Sequence, residues 1–519
     1  MVKIRNYLAM KVNLWYDNDT LTEVRKMRQF TEQEQVRREK VEKIREYCNP
    51  YPERYEVTHS LKEASVLPDE TKEVAVAGRI VFMRQMGKLS FIRLRDIESD
   101  LQVSIKIDSV GEEAYAFFKN YIDLGDFIGV KGEMFTTHTG EKTLRADTYQ
   151  FLGKALKPLP DKFHGLTDPE LCYRHRYVDL IMNEETRSRF LTRIRFIREL
   201  RNYLNNLGYY EIETPILNNK PSGAVARPFV AHHNALDLDV YLRIAPETYM
   251  KRAVVAGIPK VYEVARCFRN EGMDATHLQD FTMVECYQAY YNYKDNMKLI
   301  QNMLQTIIQN IFGTLTIQVG DQEIDMSGDW GTVTFRELIL KYANIDIDEY
   351  NTKEKLLAKI KEEKIEIESE TPIENLGYGN LIDYLYKKVA RPHMVGPVYL
   401  TEHPTSLSPL ARANDERKEI TDRFQLVVNG AEIVNGFSEL VDPQEQEKRL
   451  LEQAQMKESG DEEAMDMDYD YIGAMEYGMP PISGWGMGID RVVQLLTNSE
   501  NIKDVVMFPL MRPLDKENE

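Results

Sequence analysis

The 519-residue chain contains no run of about 18 apolar residues, so no membrane-crossing helix is expected. Its start, "MVKIRNYLAMKVNLWYDNDT", is broken by Asp17 and Asp19 and lacks the apolar core and cleavage site of a secretory signal; a cytoplasmic protein is expected. Cysteine is scarce: Cys48, Cys172, Cys267 and Cys286 are scattered without a CxxC pair, which excludes a disulfide framework and a structural zinc site. No GxxxxGK[ST] phosphate loop occurs. "GWGMGIDR" at 484–491 fails as a dinucleotide fingerprint, because Ile489 stands where the third glycine of GxGxxG belongs. Positive charge is also short. A net charge of −18 excludes a protein that coats nucleic acid non-specifically, though not one that reads RNA through a local patch.

What is present is 43% hydrophobic content, enough for two or three domains with real cores. Residues 22–47 lack Gly and Pro and read as a charged helix. The first 47 residues carry eleven Lys/Arg against eight Asp/Glu, a basic arm on an acidic chain. Residues 1–70 are therefore read as an N-terminal helical arm. Within a domain read over 71–156, the periodicity is two from about 74 to 153, with glycine-containing turns. Such a series of short strands predicts a small barrel of the OB type, a fold that holds oligonucleotides. "HTGEKT" at 138–143 is spaced like a zinc-finger linker, but no cysteine pair flanks it.

The proline-rich connector "KALKPLPDKFHGLTDPE" precedes a larger α+β domain over 157–519. Phe190, Ile194, Ile197, Leu200, Leu204 and Leu207 mark an amphipathic helix that Gly208 can end. Strand-like runs follow: "YYEIETPIL", "ALDLDVYLRIAPE", "KVYEVARCFR" and "FTMVECYQAYY". A helical insertion is expected over about 293–392, its segment "TKEKLLAKIKEEKIEIESE" looking like a solvated excursion. "DRFQLVVNGAEIVNGFSELVD" reads as a hairpin turning at Asn429-Gly430.

Strand parity points to the chemistry. Phe281, Met283, Glu285, Tyr287 and Ala289 share one face of a strand, and a buried unpaired carboxylate is costly. That face is either the wet side of a half-exposed sheet or a binding surface. Arg269, at the end of the preceding strand, carries a planar fork suited to phosphate or carboxylate oxygens. A two-residue turn at Asn429-Gly430 places Gln425, Val427, Glu432 and Val434 together. Asn435, Phe437 and Glu439 have the other parity. Both sets can face one pocket only if a β-bulge lies near Val434 or Gly436. The alternating glycines of 484–488 permit close approach of a ligand or of another backbone, and Arg491 in the following turn could reach a polyphosphate.

Together, "GYYEIETPIL", "FRNEG" with its following strand, and "GMGIDR" resemble the three signature motifs of the class II aminoacyl-tRNA synthetases. Over about 25–513 the chain is similar to the lysine-specific members of that family, through "PSGAVARPFVAHHNALDLDVYLRIAPE", "LSPLAR", "EIVNGFSEL" and "LTNSENIKDVVMFPLMRP". The resemblance implies a catalytic domain on an antiparallel sheet flanked by helices, behind an anticodon-binding OB-fold. It implies a ligase that joins L-lysine to ATP as lysyl-adenylate and then passes lysine to the terminal adenosine of its tRNA. It also implies a homodimer, with the first motif at the subunit interface.

By motif matching, Arg269 bridges the lysine carboxylate and the α-phosphate and, with Arg491, is catalytic. Glu271 and His277 hold ATP, and Phe281 stacks on adenine with Arg491 opposite. Gly223 and Glu247 take the α-amino group. Glu285, Tyr287 and Glu439 take the ε-amino group, Asn435 assists the carboxylate and Phe437 walls the aliphatic stem. Glu432 and Gln425 are the Mg²⁺ ligands; the family commonly has glutamate where this chain has Gln425, so the site loses a negative charge. Gln279-Asp280 stands where Pro-Glu is usual. In the OB-fold, Phe91 is matched to an anticodon base, Arg84 and Gln102 to base edges, and Glu141 to a further contact.

Overall fold

The computed structural model describes residues 30–160, 166–224, 226–369, 372–374, 376–458 and 465–514. The chain divides into two compact units, 1–187 and 188–519.

In the first unit the helix Glu32–Tyr47 opens on a capping box between Thr31 and Glu34. Residues 22–29 of the expected helix lie outside the described residues. This helix is not simply solvated. Ile44 enters the barrel core, Arg37 donates to the carbonyls of Ala155 and Leu124, and Lys40 pairs with Asp123 at 2.6 Å.

Strands β1 (Val74–Met86), β2 (Leu89–Arg95), β3 (Asp100–Lys106), β4 (Phe127–Thr136) and β5 (Lys142–Gly153) form a closed barrel in the order β1-β2-β3-β5-β4. Their apolar residues alternate inward: Ile92, Leu94, Val103 and Ile105 are fully buried. A helix, Glu112–Tyr121, sends Tyr115 and Phe118 into the same core.

The second unit is built on an eight-stranded sheet, in the order β14 (Gly331–Thr334), β15 (Val398–Thr401), β16 (Arg423–Val428), β17 (Ala431–Ser438), β18 (Ile482–Gly488), β11 (Asp280–Ala289), β10 (Lys260–Phe268) and β6 (Tyr210–Glu211). All pairings are antiparallel except the outermost pair at each edge. One face packs Val284, Leu426, Val434 and Met487 against the helices Glu184–Asn206 and Tyr293–Phe312 and forms the main core. Each such side chain contributes about 1.5–3 kcal/mol by leaving water. The other face is left for the site.

Several expectations shift. Along Glu184–Asn206 the buried stripe is Phe190, Phe196, Leu200 and Leu204, while Ile194 and Leu207 are exposed. The stripe follows the true helical period, and Phe196 rather than Ile194 faces the core. "YYEIETPIL" is extended only at Tyr210–Glu211 and Leu217–Asn218; the latter, β7, joins β8 (Val230–His233) and β9 (Leu238–Leu242) in a small separate sheet. The 293–392 insertion is not purely helical: it holds the hairpin β12 (Thr316–Val319) and β13 (Gln322–Asp325), and edge strand β14. Its charged helix Lys353–Glu362 buries Leu356 and Ile360 in a second core with Leu381 and Leu385, so it is no solvated excursion.

All four cysteines are free thiols; Cys267 and Cys286 are buried and Cys48 is exposed. Among the described residues no helix is long and apolar enough to cross a membrane.

Candidate active site

A cavity of about 600 Å³ lies on the open face of the sheet. Its floor consists of rows running across four strands. Glu285 of β11 lies opposite Gly486 of β18, which lies opposite Asn435 of β17 and, beyond it, Gln425 of β16. The next row is Tyr287, Gly484, Phe437 and Arg423. The middle residue next to β11 is glycine in both rows. A Cβ on Gly484 would overlap the Tyr287 ring and stand 2.7 Å from Glu439 Oε1, so only hydrogen fits there.

The rows exist because of one extra residue. Val427 pairs with Glu432 but Leu426 pairs with Val434, leaving Ile433 as a bulge. The bulge brings Glu432, Asn435 and Phe437 onto one face, one residue before the position the parity argument required. It also sends Val434 to the opposite face, into the core, so Val434 is not a neighbour of Gln425 in the pocket.

At one end the cavity is acidic. Glu247, Glu285 and Glu439 all line it and are buried, and Tyr287 donates its hydroxyl to Glu285 at 2.8 Å. Burial and the charge of Glu247 push the Glu285 carboxyl up to about 8. Burial likewise drives Glu439 well above the carboxylate range, with Lys251 opposing it. Lys251, on the helix Glu247–Val255, is fully enclosed, with Nζ 2.5 Å from both Glu247 and Glu439. Burial disfavours its charge, yet Glu247 and Glu439 hold its pKa well above the ordinary lysine value. Gly223, at φ +85°, brings its backbone against Glu247, and the neighbouring Ser222 donates to Asp468 at 2.7 Å.

The other end is basic. Arg269 follows β10 rather than ending it, and its guanidinium lies 5.1 Å from the centre of the Phe281 ring. Arg491 donates to His277 Nε2 at 2.6 Å, and His277 Nδ1 faces Asp274 at 2.8 Å. Glu271 accepts from the Arg227 amide at 3.2 Å. Asp490 fixes this end from below. Its carboxylate accepts from Arg193 and from the Thr282 amide at 2.5 and 2.7 Å, tying the start of β11 to the helix that carries Arg491. Arg423 donates to Asn435 Oδ1 at 2.9 Å and orients that amide.

Gln425 gives its amide nitrogen to Glu432 at 2.9 Å. Glu432 is thus the one anionic oxygen donor of this pair, and a ligand role for Gln425 requires its amide turned over. Among the described residues no group of three or more His, Cys, Asp or Glu encloses a metal site. One carboxylate, Glu432, on a cavity that also presents Arg269 and Arg491 would suit Mg²⁺, which keeps waters and takes substrate oxygens.

On the barrel, alternation puts Ser90, Ile92 and Leu94 inside and Phe91 outside, so Phe91 is not a core residue. Arg84 is its cross-strand partner. Gln102 donates to Thr143 at 2.8 Å, and Glu141 pairs with Arg93 at 2.6 Å.

Every catalytic-domain residue that motif matching gave a binding or catalytic role lines this one cavity: Gly223, Glu247, Arg269, Glu271, His277, Phe281, Glu285, Tyr287, Gln425, Glu432, Asn435, Phe437, Glu439 and Arg491. Sequence reasoning missed Lys251, Arg423, Asp490 and, on the barrel, Arg93. The lysine had a visible signal, since Glu247 and Lys251 stand four apart on a helix; Arg423 reaches Asn435 across a hairpin whose register the bulge sets, and Asp490 and Arg93 act through partners distant in sequence.

Residues 168–512 match the family described as tRNA synthetases class II (D, K and N), and residues 74–152 match the OB-fold nucleic acid binding domain. The chain is 44% identical over 479 residues to a lysine–tRNA ligase of Thermosipho africanus, covering 91% of this chain and 94% of that one. It is 42% identical over 494 residues to the lysine–tRNA ligase of Bacillus subtilis, covering 93% and 98%. A Bacillus cytotoxicus lysine–tRNA ligase is 43% identical over 487 residues, covering 92% and 96%.

Proposed function

The chain belongs to the class II tRNA synthetases of the D, K and N group, and from that premise we infer the chemistry of its cavity: it is a lysine–tRNA ligase, activating L-lysine with ATP and passing it to tRNA. The carrying observation is the polarity of one cavity, with three carboxylates at one end and Arg269 and Arg491 at the other. An aspartate or asparagine side chain would meet Glu285 and Glu439, which repel the first and leave the second without a counter-charge.

Lysine lies along the floor with its ε-ammonium among Glu285, Tyr287 and Glu439, its stem on Phe437 and its α-ammonium at Glu247 and the Gly223 backbone. Arg269 holds the lysine carboxylate against the α-phosphate, and Asn435, oriented by Arg423, assists. A carboxylate oxygen attacks the α-phosphorus, an acyl–phosphate bond forms, and the bond to the β-phosphate breaks to release pyrophosphate. Phe281 stacks on adenine, while Arg491, His277 and Glu271 position the nucleotide. Glu432 would hold Mg²⁺, which would neutralise phosphate charge. In the second step the terminal adenosine hydroxyl of tRNA attacks the acyl carbon and AMP leaves. The protein forms no covalent bond; it contributes alignment and fixed charge.

The domain division that serves this reaction is an arm to residue 70, an anticodon-binding OB-fold over 71–156 and a catalytic domain over 157–519. Phe91 stacks an anticodon base, flanked by Arg84, Gln102 and Glu141; stacking of this kind is worth about 1–3 kcal/mol per base. A homodimer is supported by the exposed apolar side chains Ile194, Tyr210, Ile216, Leu217 and Val230 around the first motif. ATP and tRNA as substrates support a cytoplasmic location.

Charging of lysine tRNA with labelled lysine tests this reading. Phe91→Ala should raise the KM for tRNA about tenfold and leave lysine activation unchanged. Absence of charging by the wild-type chain would refute it.

A further inference from the structure

We propose that Lys251 is a positioning residue of the amino-acid pocket. Its single buried ammonium spans Glu247 at the α-amino end and Glu439 at the side-chain end, fixing both the separation of the two poles and the charge of the site. The proposal rests on the lysine reading above.

Lys251 Nζ stands 2.5 Å from each carboxylate, and its side chain is wholly inaccessible. Glu247 and Glu439 line the cavity, whereas Lys251 does not. The substrate therefore meets the carboxylates, and Lys251 stands behind them. Tyr287, Phe437 and Tyr471 enclose the ammonium, their ring centres 5.9, 5.4 and 5.7 Å away. The charged and titratable groups facing it come from four places: Glu247 on its own helix, Glu285 and Tyr287 on β11, Glu439 after β17, and Tyr471 on the helix Tyr469–Glu476.

Charge counting gives the arrangement its purpose. With lysine bound and its ammonium in place of the Glu285 proton, Glu247, Glu285 and Glu439 contribute three negative charges and Lys251 one positive. The remaining two match the two ammonium groups of lysine, while Arg269 takes the carboxylate. Without Lys251 the pocket would carry an uncompensated buried carboxylate, which binds a proton instead. With it, a neutral amino acid of the same length leaves one carboxylate unpaired and is turned away. Stability alone does not require the ion pair, because buried pairs are often replaced by apolar side chains without loss.

Lys251→Met keeps the length of the stem and removes the charge. In lysine-dependent ATP–pyrophosphate exchange near neutral pH, its KM for lysine should rise about tenfold or more, with the KM for ATP within about twofold of wild type. Its kcat/KM for lysine should also climb more steeply with pH than that of wild type, since Glu439, no longer facing the Lys251 ammonium, then holds a proton that lysine must displace. A folded Lys251→Met enzyme with an unchanged KM for lysine overturns the proposal, as does a proportional rise in both KM values. Should that variant fail to fold, Lys251→Arg decides. Retaining the charge, it should keep the wild-type pH profile and a KM for lysine within about fivefold; proportional loss of both substrates overturns the proposal. Wild-type protein inactive with lysine would instead refute the underlying function.

Discussion

Arg491 donates to His277 Nε2 across 2.6 Å, and the other ring nitrogen of His277 faces Asp274 at 2.8 Å. Arginine can only donate, so Nε2 is the acceptor and the ring N–H sits on Nδ1, toward Asp274. Against some desolvation, hydrogen bonds from Thr276 and His277 pull Asp274 down to about 2, so it stays ionised and holds the ring. The loop after Arg269 is thereby tied to the helix that carries Arg491, the place assigned to ATP phosphates. His277→Ala should raise the KM for ATP about tenfold while leaving that for lysine within about twofold. Steady-state exchange with each substrate varied in turn measures both.

Glu285 gives a pH signature. Its carboxyl is raised from 4.5 to about 8 by burial and by Glu247. Between those values the folded protein holds a proton that the unfolded chain releases, so ligand-free stability should fall as pH rises through that window. Bound lysine replaces that proton with its ammonium. The kcat/KM for lysine should therefore increase from pH 6 toward about 8, and Glu285→Gln should flatten the rise while weakening lysine. Thermal unfolding and exchange across this range check the two halves.

Much of this site is legible in the sequence. Parity put Glu285 and Tyr287 on one face, and the incompatible parities of Glu432 and Asn435 demanded a bulge, which the structure has at Ile433. What parity could not reveal was strand order: nothing local says that Gly484 lies between Tyr287 and Phe437, because that relation joins three distant segments. Asp490 escaped for the same reason, and Arg423 because its reach to Asn435 depends on the bulged register of the hairpin. The exposed Ile194 shows the converse limit, since an apolar residue at helical spacing does not by itself say that the core is its partner.

Gly484 offers a steric test of that strand order. A methyl group there would overlap the Tyr287 ring and crowd Glu439. Gly484→Ala should fold, because the displaced groups border a cavity, but lose lysine activation by about a hundredfold or more. Circular dichroism should be unchanged and ATP binding retained.

Gln425→Glu should restore a second carboxylate beside Glu432, now 2.9 Å from the amide. Two adjacent carboxylates repel without a cation and chelate with one. Half-maximal activity should then require several-fold less Mg²⁺, and removal of Mg²⁺ by chelation should cost the variant more stability than wild type. Magnesium titration of the exchange rate, with melting curves, measures both.

Amino-acid-dependent ATP–pyrophosphate exchange, run on the same preparation with lysine, aspartate and asparagine, bears most directly on the acidic cavity between Glu247 and Glu439. Exchange should depend on lysine and remain at background with the other two. Exchange driven by aspartate or asparagine, or none with lysine in folded protein, would contradict the account.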